Sequence, residues 1–73
     1  MKLNEGIKGY NYRIKKINIE DDDLNRYLFS LGCYEGEEIK ILHNQKRNII
    51  IFMKQSRYSF DNKLADKIEI ELF

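Results

Sequence analysis

Apolar and polar positions alternate by twos over most of the chain and switch once to helical spacing. From Tyr12 to Ile17, Tyr12 and Ile14 alternate with Arg13 and Lys15, the period of a half-buried strand. The alternation then slips by one, with Ile17 and Ile19 apolar after Lys16, which predicts a bulge or strand end at Lys15 and Lys16. Leu24, Tyr27, Leu28 and Leu31 next fall at i, i+3, i+4 and i+7, one face of a helix running from about Asp22 to Leu31. The acidic run Glu20 to Asp23 stands where a helix start needs a capping oxygen and where negative charge complements the helix dipole. Capping accounts for that run; a calcium loop would spread its oxygens over about twelve residues around a glycine, a pattern missing here. Gly32 supplies the left-handed residue that ends the helix. A ten-residue helix is marginal alone, so this one must be held by packing against a sheet.

After the helix, Cys33 to Gly36 form a turn, with Gly36 where a type II turn requires positive φ. Glu38 to His43 reads as a strand with Ile39 and Ile41 on one face and Lys40 and Leu42 on the other, followed by a polar hairpin loop from Asn44 to Arg47. In the second arm, Asn48 to Lys54, Ile49 to Met53 are apolar without alternation. That run predicts a central strand covered on both faces, the other reading being an arm partly exposed to a partner. A turn at Gln55 and Ser56 leads to a strand from Arg57 to Phe60, with Tyr58 and Phe60 sharing a face. Asp61 to Asp66 is predicted as one helical or 3₁₀ turn capped by Asp61 and seated by Leu64 and Ala65. In the last strand, Lys67 to Phe73, Ile68, Ile70 and Leu72 alternate with Glu69 and Glu71. The fold class is therefore mainly β: about five short strands curled into a small closed or half-closed barrel, with one helix inserted after the first strand.

Seventy-three residues form one domain spanning 1–73. A domain of this size buries only about 60% of the surface of its unfolded chain, worth roughly 3–5 kcal/mol net. With 13 basic and 12 acidic residues the chain lacks the strong positive field of a dedicated nucleic-acid binder. Its single cysteine, Cys33, cannot form an internal disulfide, and no Cys-x-x-Cys pair suggests redox or zinc chemistry. Asn4, Glu5 and Gly6 follow Leu3 where a secretion signal would be apolar. The longest apolar run, Ile49 to Met53, is far short of the roughly 20 residues of a membrane helix. A cytosolic, soluble protein is expected.

Catalysis finds little support. A nucleophile needs a base within hydrogen-bond reach, and Cys33 and His43, one of each kind, lie on different elements. No glycine-rich run leads to a Gly-Lys-Ser or Gly-Lys-Thr that would bind phosphates. Ferrous iron favours two histidines with a carboxylate, and His43 is alone, so no metal ligand set and no cofactor is assigned. Cys33 reads as a small apolar plug under the helix end. The basic set Lys46, Arg47, Lys54 and Arg57, near Tyr58 and Phe60, supports a rival reading in which a small barrel stacks nucleic-acid bases on aromatics.

The ordered set of Leu3, Gly9, the Arg13 to Ile17 strand, Leu24, Leu28, Leu31, Gly32, Glu35, Gly36, Ile39, Ile41, Ala65, Ile68 and Ile70 resembles the FeoA family of bacterial ferrous iron uptake over nearly the whole chain. The resemblance implies an SH3-like barrel with an inserted helix, and a non-enzymatic role beside FeoB, a membrane ferrous iron transporter with a cytosolic GTPase domain. It also links the fold to the C-terminal domain of metal-dependent DtxR-type repressors, which makes a stand-alone metal-responsive regulator a further alternative. Two features depart from the family pattern: Glu35 stands where proline usually precedes the turn glycine, and Asn44 to Arg47 replace a loop containing glycine and proline. Both lie at turns, so they leave the fold untouched. The expected docking surface is the exposed side of the helix and its exit turn: Arg26, Tyr27, Phe29, Tyr34 and Glu35. Phe29 motivates it, because it lies off the Leu24, Leu28 and Leu31 stripe and an apolar ring facing water marks a partner site.

Overall fold

The alternating segments become a five-stranded antiparallel sheet in the computed structural model, which describes residues 1–73. The strands are β1 (Asn11–Ile17), β2 (Glu38–Asn44), β3 (Asn48–Met53), β4 (Ser56–Asp61) and β5 (Ile68–Leu72), in the order β4-β3-β2-β1-β5. Helix α1 (Asp22–Leu31) joins β1 to β2, and the four-residue α2 (Asn62–Ala65) joins β4 to β5. This is the SH3-like small-barrel arrangement, but β4 and β5 do not pair and the barrel stays open. A 3₁₀ turn at Leu3–Glu5, which no periodicity announces, precedes β1 and buries Leu3. Asn44 ties that turn to β2, its amide nitrogen donating to the carbonyls of Asn4 and Gly6 at 3.0 and 2.7 Å.

Period-two burial builds the core. Tyr12 and Ile14 from β1, Ile39 and Ile41 from β2, and Ile49, Ile51 and Met53 from β3 are all at most 1% exposed. Ile68 and Ile70 from β5, Leu28 from α1, and Cys33 close it. Tyr12 keeps its hydroxyl satisfied by accepting from the Ile7 amide at 2.9 Å, and no buried side-chain nitrogen or oxygen lacks a partner. The predicted slip in β1 is present as a register shift against β5 between Ile14 and Lys16. A second shift, between Ile41 and His43 of β2, displaces Leu42.

Four expectations are corrected. β3 has a strand on each side, yet only one of its faces is covered: Phe52 is exposed and Ile50 half-buried, because no layer packs on the outer face of the sheet. Tyr27 carried two expectations, a place on the helix's apolar stripe and a place on its exposed docking side; it is exposed, so the stripe assignment is the one that fails. Leu28 is the one fully buried residue of α1, and Tyr27, about 100° round the axis from it, lies on the flank. Leu72 is exposed too, since β5 runs past the core at its end. The β3–β4 turn is made by Lys54 and Gln55 rather than Gln55 and Ser56. Both adopt positive φ, 52° and 63°, as a two-residue hairpin requires.

Candidate partner-docking surface

Local chemistry sets α1 in place. Asp21 caps its start, one carboxylate oxygen accepting from the amides of Asp23 and Leu24 at 2.9 and 3.1 Å. Gly32 ends it at φ 91°, its amide donating to the Leu28 and Phe29 carbonyls. Glycine is needed there twice over, because a Cβ would lie 2.6 Å from Cγ of Lys54 as well as forcing an L residue into the left-handed region. Gly36, at φ 90°, turns the chain from the exit loop into β2. The helix end is thereby pressed against the β3–β4 turn.

That contact organises the exit turn. The rings of Phe29 and Tyr34 meet at a centroid separation of 5.0 Å and 40°, a tilted pair of favourable geometry. Nζ of Lys54 lies 5.5 Å from the centre of the Tyr34 ring and 3.2 Å from the Glu37 carboxylate. Tyr34 first, then Glu37, hold the Lys54 ammonium above its ordinary pKa. Phe29 remains 67% exposed with one face against Tyr34. Glu35 is exposed and outside every ion pair.

The five expected docking residues do not form one patch. At 3.6 residues per turn, Tyr27 and Phe29 lie about 160° apart around the helix axis, on opposite flanks of the buried Leu28 line. Phe29, Tyr34 and Glu35 come together at the exit. Arg26 sits on the solvent side, its guanidinium 2.9 Å from Asp23, a weak exposed pair. Tyr27 stands apart. Sequence reading missed Lys54 and Glu37, which complete the cluster; neither carries a signal, because only the hairpin turn brings Lys54 to Tyr34. It also missed a shallow groove of about 400 Å³ beyond them on the outer face of the sheet, lined by Glu37, Lys40, Phe52 and Lys54 among others.

The other candidate chemistry is dispersed. Cys33 is 1% exposed, and burial first, then the nearby Glu37 charge, push its thiol up to about 12; a thiol so held is no nucleophile at neutral pH. His43 is exposed near the end of β2. No three histidine, cysteine or acidic side chains converge as a metal set. The base-stacking reading loses its platform: Phe60 is buried in the core and Tyr58 is half-buried, its ring 6.5 Å from that of Phe60. No helix is long and apolar enough to cross a membrane.

The FeoA domain model matches residues 1–72. The iron(II) transport protein A of Clostridium thermocellum has a solution structure similar to this chain at a TM-score of 0.85 and 28% identity, over 99% of this chain and 45% of that one. The chain therefore spans less than half the length of that relative. A crystal structure of an iron uptake regulatory protein, FeoA, is similar at 0.87 and 22% identity, over 100% of this chain and 97% of that one. IdeR of T. acidophilum contains the same fold in 34% of its length, at 0.88 and 20% identity. No curated protein sequence matches the chain.

Proposed function

The chain belongs to the FeoA family, which is linked to iron transport, and from that premise we propose that it is a non-enzymatic accessory of ferrous iron uptake. It docks in the cytosol on the GTPase-bearing part of a FeoB-type transporter and acts by non-covalent contact. The exit turn of α1 makes that contact. The observation that carries this reading is Phe29, a large ring left 67% exposed beside Tyr34. A ring already fixed against a neighbour loses little side-chain freedom on binding, so more of its burial appears as affinity. The Lys54 and Glu37 charges beside it, with Glu35, supply a polar rim that orients a partner.

Capture by the immobilised cytosolic region of the cognate transporter tests this. Phe29→Ala and Tyr34→Ala should each weaken capture about tenfold or more while thermal unfolding stays near that of the unaltered protein, because neither ring belongs to the core. Tyr27→Ala, on the opposite flank, should bind normally. Undiminished capture by a folded Phe29→Ala/Tyr34→Ala double variant would overturn the assignment.

A further inference from the structure

The two edges of the sheet are finished differently. On β5 the outer edge is closed by the N-terminal residues: the Ile70 amide donates to the Met1 carbonyl at 2.7 Å, the Met1 amino group donates back at 3.3 Å, and Lys2 pairs with Glu69. On β4 nothing pairs. Its register with β3 joins Met53 to Ser56, Ile51 to Tyr58 and Ile49 to Phe60. The next bond in this series runs from the Asn62 amide to the Arg47 carbonyl at 2.9 Å, which identifies those pairs as the hydrogen-bonded ones. The amides and carbonyls of Arg57 and Ser59 therefore point away from β3, and no loop or helix takes them up. Both side chains are exposed.

We propose that this open edge pairs with the same edge of a second copy of the chain, antiparallel about a two-fold axis through Ser59. The sequence Ser56 to Asp61 is self-complementary in that register. Ser59 faces Ser59 of the second copy, and each donates an amide to the other's carbonyl, as their outward orientation allows. Two residues either way, Arg57 faces Asp61 of the second copy on the outer surface of the joined sheets, opposite charges at cross-strand distance; one Asp61 oxygen caps α2 by accepting from the Leu64 amide at 2.8 Å, and the other is left for the arginine. One residue either way, Tyr58, half-buried and lying along Phe60 within its own chain, faces Phe60 of the second copy on the other side. Sliding the pairing by one residue in either chain sets an outward-facing residue against one already bonded to β3, and sliding it by two loses the opposition of Arg57 and Asp61. Strand addition of this kind satisfies an edge that is otherwise left to water. The strand is short, so the association is weak.

Sedimentation equilibrium of the full chain from about 10 µM to about 1 mM should show a reversible monomer–dimer equilibrium with a midpoint on the order of 100 µM, as suits a small interface. Arg57→Glu sets like charges against Asp61 and should raise that midpoint about tenfold or more. Ser59→Pro deletes the central donor, which no bond within the monomer uses, and should abolish the dimer while the circular dichroism spectrum is retained. Should that variant fail to fold, Ser59→Cys keeps the question open to measurement. With Cys33 replaced by alanine in that variant, a short bismaleimide should then link two chains through the introduced thiols alone, and excess unaltered protein should suppress the linkage. A chain that stays monomeric at the highest concentration, including one whose edge serves a strand of another protein, overturns the proposal. So does a dimer indifferent to Arg57→Glu.

Discussion

Strand β3 holds Ile49, Ile51 and Met53 at 1% exposure or less, three of its six residues, whereas α1 fully buries only Leu28 of its ten. The strand is tied by main-chain bonds to neighbours on both sides. The helix is joined to the rest by Leu28, by half-buried Leu24 and Leu31, and by what happens at its two ends. Such unequal burial separates tasks. The sheet carries the stability, and the helix, contributing less to it, is free to keep Phe29 in water.

The largest test of this difference removes sheet core. Ile51 is wholly buried in the central hairpin, so Ile51→Ala should cost about 3–4 kcal/mol through lost transfer energy and a cavity that the paired strands cannot collapse. That is comparable with the roughly 3–5 kcal/mol a core of this size supplies, and chemical denaturation should find the variant with little net stability left and a substantial unfolded fraction at 25 °C. A loss below about 1 kcal/mol would mean that the sheet is not where stability resides.

A smaller effect is expected where the helix meets the sheet. Gly32→Ala places an L residue at φ 91° and a methyl against the Lys54 stem, which should cost about 2 kcal/mol, most of it from the backbone. Adding Lys54→Ala removes the steric part, so the double variant should lose less than the sum of the two single changes. Strict additivity in denaturation midpoints would show that the helix end does not rest on the hairpin turn.

Where the chain's own chemistry acts over a few residues, the sequence was sufficient. The helix bounds, a cap within the acidic run Glu20 to Asp23 and the stop at Gly32 follow from residue types that satisfy or release main-chain groups locally, and the slip in β1 follows from a phase change visible in the alternation; that Asp21 is the capping residue is seen only in the structure. Exposure at Phe52 and Leu72 was misread because it depends on how far the sheet curls and what lies beyond it, which no period encodes. The Lys54 and Gln55 turn was displaced by one because neither residue is the glycine or asparagine that usually announces positive φ. Of the docking surface, Phe29 was legible as an apolar residue off its stripe. Tyr34 was legible beside it as part of the exit turn, but Lys54 and Glu37 were not, since Lys54 reaches Tyr34 and Glu37 only after β3 and β4 fold back.

The finest test uses Cys33, the point where the helix exit enters the core. Its thiol is held at about 12 in the folded chain, against an ordinary value of 9.0. A raised pKa means that the folded state keeps its proton more tightly, so the contribution is fully present below pH 9 and is lost as pH rises from there toward 12. At pH 10 the loss is about 1.4 kcal/mol, one unit above the unfolded pKa. Lysines and tyrosines titrate in the same range, so the contribution is read as a difference: stability should fall less steeply between pH 9 and 10.5 in Cys33→Ala than in the unaltered chain. Reaction with a disulfide reagent at neutral pH reports on the same boundary. If α1 is the less firmly held region, its exit should open by local unfolding, and the thiol should react at a rate corresponding to a free energy below that of global unfolding. Equality of the two free energies would instead bind helix and sheet into one cooperative unit, and the separation of tasks would fail at its weakest joint.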